Sequence, residues 1–353
     1  MIMHSIMKAV ASLAVLLGLT LFISTAASAA QPVGSALWAV LKCKYSDTPE
    51  VPATADTTLD NLFNGAEGVR QYFAEISHGK YRPLFRISGI WRTMGVSIAQ
   101  DRKEGFNRYR RTEECIKVSG VRPGMYAGII VNFNVDIDAG YAGNVLLTPG
   151  AWATAFAAHE MLHHLGLNHS FDTSTRKNST WSAPGEYYDH WDIMSAMAIY
   201  GFKNANGLTS GPDLALPFKL SLGWIAAQKD VTLIDARVAT GVSMGETRDL
   251  SLRPYSSVSG SMPLGACVDV GAKNGEFTRY CAEYRQKSGW DRVIPEGGVL
   301  IHSLKNNSLE NQQMTVVRDR IFRAGETFKT PDGGATFVIN EITDKSARLR
   351  IEY

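Results

Sequence analysis

The chain has 353 residues, 45% apolar and 20% charged, an ordinary globular composition long enough for two cores rather than one. Whole-chain disorder, collagen and coiled coil are excluded. A formal charge of +2, from 36 basic and 34 acidic side chains, provides no global field for nucleic acid or an anionic membrane, so any partner must be recognised by local chemistry.

In chain order, Lys8 precedes an apolar run from Ala9 to Ile23, followed by the small residues Ser24 to Ala29. This is the three-part pattern of a secretory signal over residues 1–29, with the mature chain starting near Ala30. The run falls short of the roughly 20 apolar residues that span a bilayer, and nothing later approaches that length. An exported chain is expected to oxidise its four cysteines, and three pairings are open. The expectation adopted is nearest-neighbour pairing, Cys43 with Cys115 and Cys267 with Cys281, which keeps one bridge in each half.

Leu37 to Cys43 reads as a buried strand, which argues against Cys43 as a thiolate capping a metal, and a Pro/Thr/Ala-rich loop follows to about Thr58. Val69, Tyr72, Phe73 and Ile76 fall at i, i+3, i+4 and i+7, the spacing of an amphipathic helix that Gly79 would end. A strand from Tyr81 to Trp91 comes next. The helical period from Asp101 to Lys117 mixes Arg and Glu side chains, a solvated face rather than a binding patch. Tyr126 to Phe133 reads as a central strand. Asn134 to Gly143 is then a loop in which Asp136 and Asp138 could bind calcium, although without a full ligand set a plain turn is the simpler reading. Asn144 to Thr148 is a short strand, and Pro149-Gly150 open a helix.

Beyond Gln228 no long helical period remains, and short strand-like runs appear at 231–234, 299–303, 335–339 and 347–351, separated by Gly and Pro turns. The organisation expected is a first domain over 30–228 and a C-terminal β-rich, sandwich-like domain over 229–353, with the boundary just after Leu222-Gly223-Trp224.

Four of the eight histidines lie between His159 and His169, in a segment that fills every position of H-E-x-x-H-x-x-G-x-x-H. His159 and His163 share one helix face about a turn apart, so both rings can reach one zinc ion. Gly166 can adopt positive φ, end the helix and let the chain swing His169 round as third ligand, leaving a fourth position for water. Glu160 beside that face is placed to act as general base towards zinc-bound water, whose pKa falls from 15.7 towards about 7. A chance match to all five positions has a probability on the order of 10⁻⁵, against about one in a hundred for H-E-x-x-H alone. His164 points about 100° away and reads as a packing residue. His78, His190 and His302 have no ligand spacing and read as structural.

On this motif, and on Trp191-Asp192-Ile193-Met194-Ser195 with Met194 in the place of a methionine turn, the chain resembles the metzincin clan of zinc endopeptidases, within the secreted gametolysin-like and immune-inhibitor-A-like microbial proteases. Weaker likenesses are Tyr72 to Lys80, Lys219 to Trp224, Glu283-Tyr284-Arg285 and Gly297-Gly298-Val299. The resemblance implies an α+β fold: a twisted mixed sheet with long helices, an active-site helix and a methionine turn, followed by the smaller all-β domain. It also implies a substrate lying antiparallel to an edge strand, a place that Asn144–Thr148 matches in order along the chain. Departures are Ala196, where some clan members carry a tyrosine two residues after the turn methionine, and His169, where immune-inhibitor-A relatives use an acidic ligand. The oxyanion stabiliser is thus left open.

The expected function is a secreted zinc endopeptidase, a monomer acting on protein or peptide substrate through one catalytic Zn²⁺, with no nucleic-acid partner and no membrane span in the mature chain. Two alternatives stand beside it: a surface- or matrix-binding protein with a structural or vestigial zinc site, and a zinc hydrolase of cell-wall or glycopeptide amides.

Overall fold

The computed structural model describes residues 32–195, 197, 199–237, 245–271, 276–305 and 313–353. The expected signal segment 1–29, Ala30 and Ala196 lie outside these residues. The fold is mixed α/β, with several sheets and few helices. Among the described residues no helix is long and apolar enough to cross a membrane.

The first sheet is built on β1 (Gly34–Lys44), flanked by β2 (Tyr81–Ile87) and β3 (Arg92–Thr93) on one side and β4 (Gly128–Phe133) on the other. Beyond β4 come β6 (Asn144–Leu147) and then β5 (Gly140–Ala142), so the order is β2-β1-β4-β6-β5. The pairings are parallel except for the outermost, β5 against β6. All six residues of β4 are buried, as parallel strands covered on both faces must be. Ile130 packs with α1 (Ala55–Phe63), α2 (Val69–Ile76) and α5 (Thr154–His164), while Ile129, Val131 and Phe133 pack with α4 (Arg108–Ser119).

The expected amphipathic helix is α2, with Val69, Tyr72, Phe73 and Ile76 all buried. The helix expected over 101–117 is instead two, α3 (Ile98–Glu104) and α4. Gly105 ends α3 at φ 64°, and the Asn107 side chain accepts from Arg110 N to start α4. Helix α1 replaces the end of the expected Pro/Thr/Ala-rich loop. The strand expected to reach Trp91 stops at Ile87, where Ser88 Oγ turns back to donate to the Ile90 carbonyl. The expected edge strand also needs correction. Asn144–Leu147 is an interior strand because the chain before it doubles back at Gly143, and β5, read from sequence as loop, takes the edge.

After α5 the chain forms β7 (Ser170–Phe171), the hairpin of β8 (Phe202–Lys203) and β9 (Thr209–Ser210), and α6 (Leu216–Ser221). The remaining strands make two sheets. One runs β10 (Val231–Asp235), β12 (Gly265–Gly271), β13 (Phe277–Arg285), β14 (Gly298–Lys305), β15 (Met314–Val316) and finally β7. The other runs β11 (Thr247–Leu252), β18 (Ala347–Glu352), β17 (Thr336–Ile342) and β16 (Thr327–Lys329). In β18, buried Ala347, Leu349 and Ile351 alternate with exposed arginines and Glu352, the period-two pattern of a strand with one wet face. These apolar side chains meet Val268, Ala282 and Ile301 of the facing sheet.

The two parts of the chain share a core. Trp290, Leu304 and Met314 belong to the same buried cluster as Phe73, Met161 and Met194. Both cysteine pairs are bridged in the expected sense, Cys43 to Cys115 across 72 residues and Cys267 to Cys281 across 14. The first ties β1 to α4; the second joins directly opposed residues of β12 and β13. Chain-entropy arguments give about 4.5 kcal/mol for the longer loop and about 3 kcal/mol for the shorter. Replacing both cysteines of the 43–115 bridge by alanine is therefore expected to lower the free energy of unfolding by about 1.5 kcal/mol more than the same change at 267–281, measured by denaturant titration.

Candidate metal centre

Helix α5 presents His159, Glu160 and His163, and it stops where the chain needs to turn. Gly166 has φ 96°, a backbone conformation costly for residues with a Cβ. The Leu167 amide donates back to the Leu162 carbonyl, which closes the helix end. Two residues on, His169 has returned to the other rings. The His163 Nε2 lies 3.0 Å from the Nε2 of both His159 and His169. Among the described residues this is the one group of three potential ligands, with donor atoms all within 4.8 Å of one another.

The opposite nitrogen of each ring fixes its tautomer. His159 Nδ1 donates to the Ile193 carbonyl at 2.7 Å, His163 Nδ1 to the Leu167 carbonyl at 2.8 Å, and His169 Nδ1 to Glu186 Oε1 at 2.6 Å. These oxygens are acceptors, so each Nδ1 carries the proton and each Nε2 presents a lone pair. Three lone pairs facing one another repel unless a cation lies between them, and imidazole nitrogens about 3 Å apart suit an ion about 2 Å from each. The residues present fit a metal ion.

Burial also keeps the triad unprotonated. It pushes His159 well below the ordinary histidine range, with the neighbouring His163 adding to the shift, and lowers His163 to about 4. His169 is lowered by burial against the opposing pull of Glu186. Glu160, only 6% exposed, is raised to about 7 by burial, opposed by the Arg108 charge and the Tyr141 backbone. Glu160 and the three histidines line a cleft of about 470 Å³ with Arg108, Tyr141, Phe156, Trp181 and Tyr187.

Sequence reasoning missed two residues. Glu186 orients His169 and is itself held by the Ala183 amide on Oε2 at 2.7 Å. Tyr187 places its hydroxyl 3.0 Å from His169 Nε2. Its φ of 69° is unusual for a side chain of that size, a backbone strain of the kind found where geometry serves a site. Burial, then the charges of Glu186 and Glu160, raise Tyr187 to about 12, so it remains a proton donor. Both lie in an aperiodic loop, where spacing carries no signal. The only clue is the general pairing of ligand histidines with carboxylates, which offers Asp172, Glu186, Asp189 and Asp192 equally.

The other sequence candidates fall into place around the centre. Met194 is fully buried, and its carbonyl accepts from Ser170 N at 2.9 Å. His164 turns away to donate to the Ala127 carbonyl and packs edge-on against Trp38. Asp136 accepts from Gly150 N, while Asp138 pairs with Arg108 and Arg111. Each of the two carboxylates raised as calcium ligands thus has its own partner, as in a plain turn. The chain matches no known family model and no curated protein.

Two outcomes follow for the centre. Glu186→Ala is expected to weaken metal binding 10- to 100-fold in a chelator competition while leaving the fold intact. Protons compete for a histidine only below its own pKa. Because all three histidines are lowered by burial, affinity should begin to fall at a lower pH than for a solvent-exposed triad with ordinary pKa values near 6.5, as measured by chelator competition across pH.

Proposed function

We propose that the chain is a secreted zinc endopeptidase of metzincin type. The observation that carries the reading is the joint presence, in one cleft, of three histidines locked with Nε2 inward and a buried carboxylate, Glu160, next to the first of them. A purely structural zinc site has its ligand positions closed and needs no base. Supporting features are a mixed sheet whose one antiparallel strand, β5, lies at the cleft edge, and Met194 buried in the core that seats α5. The two disulfides fit an oxidising compartment.

His159, His163 and His169 would hold the zinc. When bound, the ion supplies Lewis acidity and lowers the pKa of water in the site. Glu160 then takes the proton of the attacking water and returns it to the leaving amine, a task suited to a carboxylate whose burial has moved its pKa towards neutrality. Tyr187 supplies the oxyanion donor. With His169 Nε2 engaged, the phenol proton has no acceptor there and is free for an anionic oxygen in the cleft. The free edge of β5 offers backbone groups to an extended peptide, with Tyr141 beside the cleft.

The test is metal analysis combined with casein hydrolysis for the protein from Ala30 onward, with and without chelator. One zinc per chain and chelator-sensitive hydrolysis are expected. Glu160→Ala should keep the zinc and lose roughly 10²- to 10⁴-fold in kcat. Tyr187→Phe should keep it too and lose about 10²- to 10³-fold in kcat with KM little changed. Hydrolysis at the wild-type rate by the Glu160 variant would overturn the reading.

A further inference from the structure

The segment from Ser170 to Met194 joins the third histidine to the methionine turn, and three of its buried anchors come from the C-terminal part of the chain. β7 pairs in parallel with β15, Met314 opposite Ser170 and Thr315 opposite Phe171. Trp191 packs in a cluster with Ile294, Leu300 and Val316. His302, on β14, is wholly buried, and its Nε2 lies 3.2 Å from Oδ2 of the equally buried Asp189. The other oxygen of Asp189 accepts from Trp191 N at 3.2 Å.

The next residues touch the ligands themselves. Asp192 accepts from Met194 N at 2.7 Å and from Ala215 N at 2.6 Å, which pins the Ile193 peptide between them. The Ile193 carbonyl is the acceptor for His159 Nδ1, and the Met194 carbonyl is the acceptor for Ser170 N, next to His169. One short turn therefore orients the first ligand and tethers the third, and its buried ionic contact to the second half of the chain is Asp189 with His302.

We propose that His302 is a positioning residue for the metal centre: from the C-terminal sheet it holds Asp189, and through it the turn that fixes His159 and tethers His169. The C-terminal strands are on this view part of the site's framework rather than an appended binding module. The inference rests on the metal-binding part of the proposed function and not on peptide hydrolysis.

The test uses the full mature chain carrying His302→Ala, His302→Gln or Asp189→Asn. The control is Leu349→Ala, which disturbs the core between the two C-terminal sheets without touching the turn. Zinc affinity is measured by competition with a chromophoric chelator, the visible spectrum with Co²⁺ in place of zinc, and the thermal midpoint of each metal-free protein. His302→Ala is expected to weaken zinc binding at least tenfold and to alter the Co²⁺ bands. His302→Gln, which can still donate to Asp189, should recover part of the loss. Leu349→Ala should lower the midpoint yet bind both metals as the wild type does. Should His302→Ala fail to fold, His302→Gln and Asp189→Asn carry the same comparison. Wild-type affinity and spectrum in the His302 and Asp189 variants, or an equal loss in Leu349→Ala, would overturn the proposal. A wild-type protein that hydrolyses no protein while these affinity differences stand would instead remove the peptidase reading and leave the positioning role intact.

Discussion

Everything in the candidate centre depends on where three protons sit. A neutral imidazole has one donor and one acceptor nitrogen, and each ring here gives its donor to an oxygen that can only accept: the carbonyls of Ile193 and Leu167 and the carboxylate of Glu186. The remaining nitrogens are left as bases pointing at one another. The helix end at Gly166, the loop that brings back Glu186 and the turn that offers the Ile193 carbonyl are all means to that arrangement. Displacing any one of them would free a ring to rotate or to change tautomer, with the three histidines themselves unchanged.

The same logic explains why so much charge is buried where the two parts of the chain meet. Lys219 pairs with Asp213, and Arg285 with both Glu283 and Asp291, all of them nearly or wholly inaccessible. The Leu216 amide donates to Glu283, so the start of α6 is fixed to β13. Such pairs add little net stability, because desolvation offsets their attraction, but losing one partner costs about 3–5 kcal/mol. They penalise any other docking of the halves. They therefore specify one relative placement of the two parts.

How much was legible in the sequence varied with the kind of signal. Periodicity located α2, β4 and β18, because a buried stripe or an alternating face leaves a local trace. The H-E-x-x-H-x-x-G-x-x-H pattern located the three histidines that come together and Glu160 beside them, because a helix turn and one glycine determine their geometry within eleven residues. Gly105 and Asn107 split a helical stretch whose charge pattern ran on unbroken, and capping chemistry overrode the period. Tyr187 and His302 left no trace and Glu186 only one it shared with three other carboxylates, since their roles depend on loop conformation and on contacts between distant strands. The scattered segments Tyr72 to Lys80, Lys219 to Trp224 and Glu283 to Arg285 have a structural use that sequence spacing did not show. Phe73 and Trp224 pack edge to face, Lys219 is buried against Asp213, and Glu283 binds the start of α6. Those dispersed residues gather at the junction of the two parts.

The pairing of β7 with β15 has a consequence in time. These strands lie far apart in the chain, so a growing polypeptide has made all three histidines and Glu160 long before it makes the strand that seats them. Such non-local contacts also form late and slowly once the chain is complete. The three histidines thus exist through the synthesis of the 145 residues from His169 to Met314 without that framework. A centre arranged in this way is not seated until translation is nearly finished, a delay set by the order of the elements along the chain.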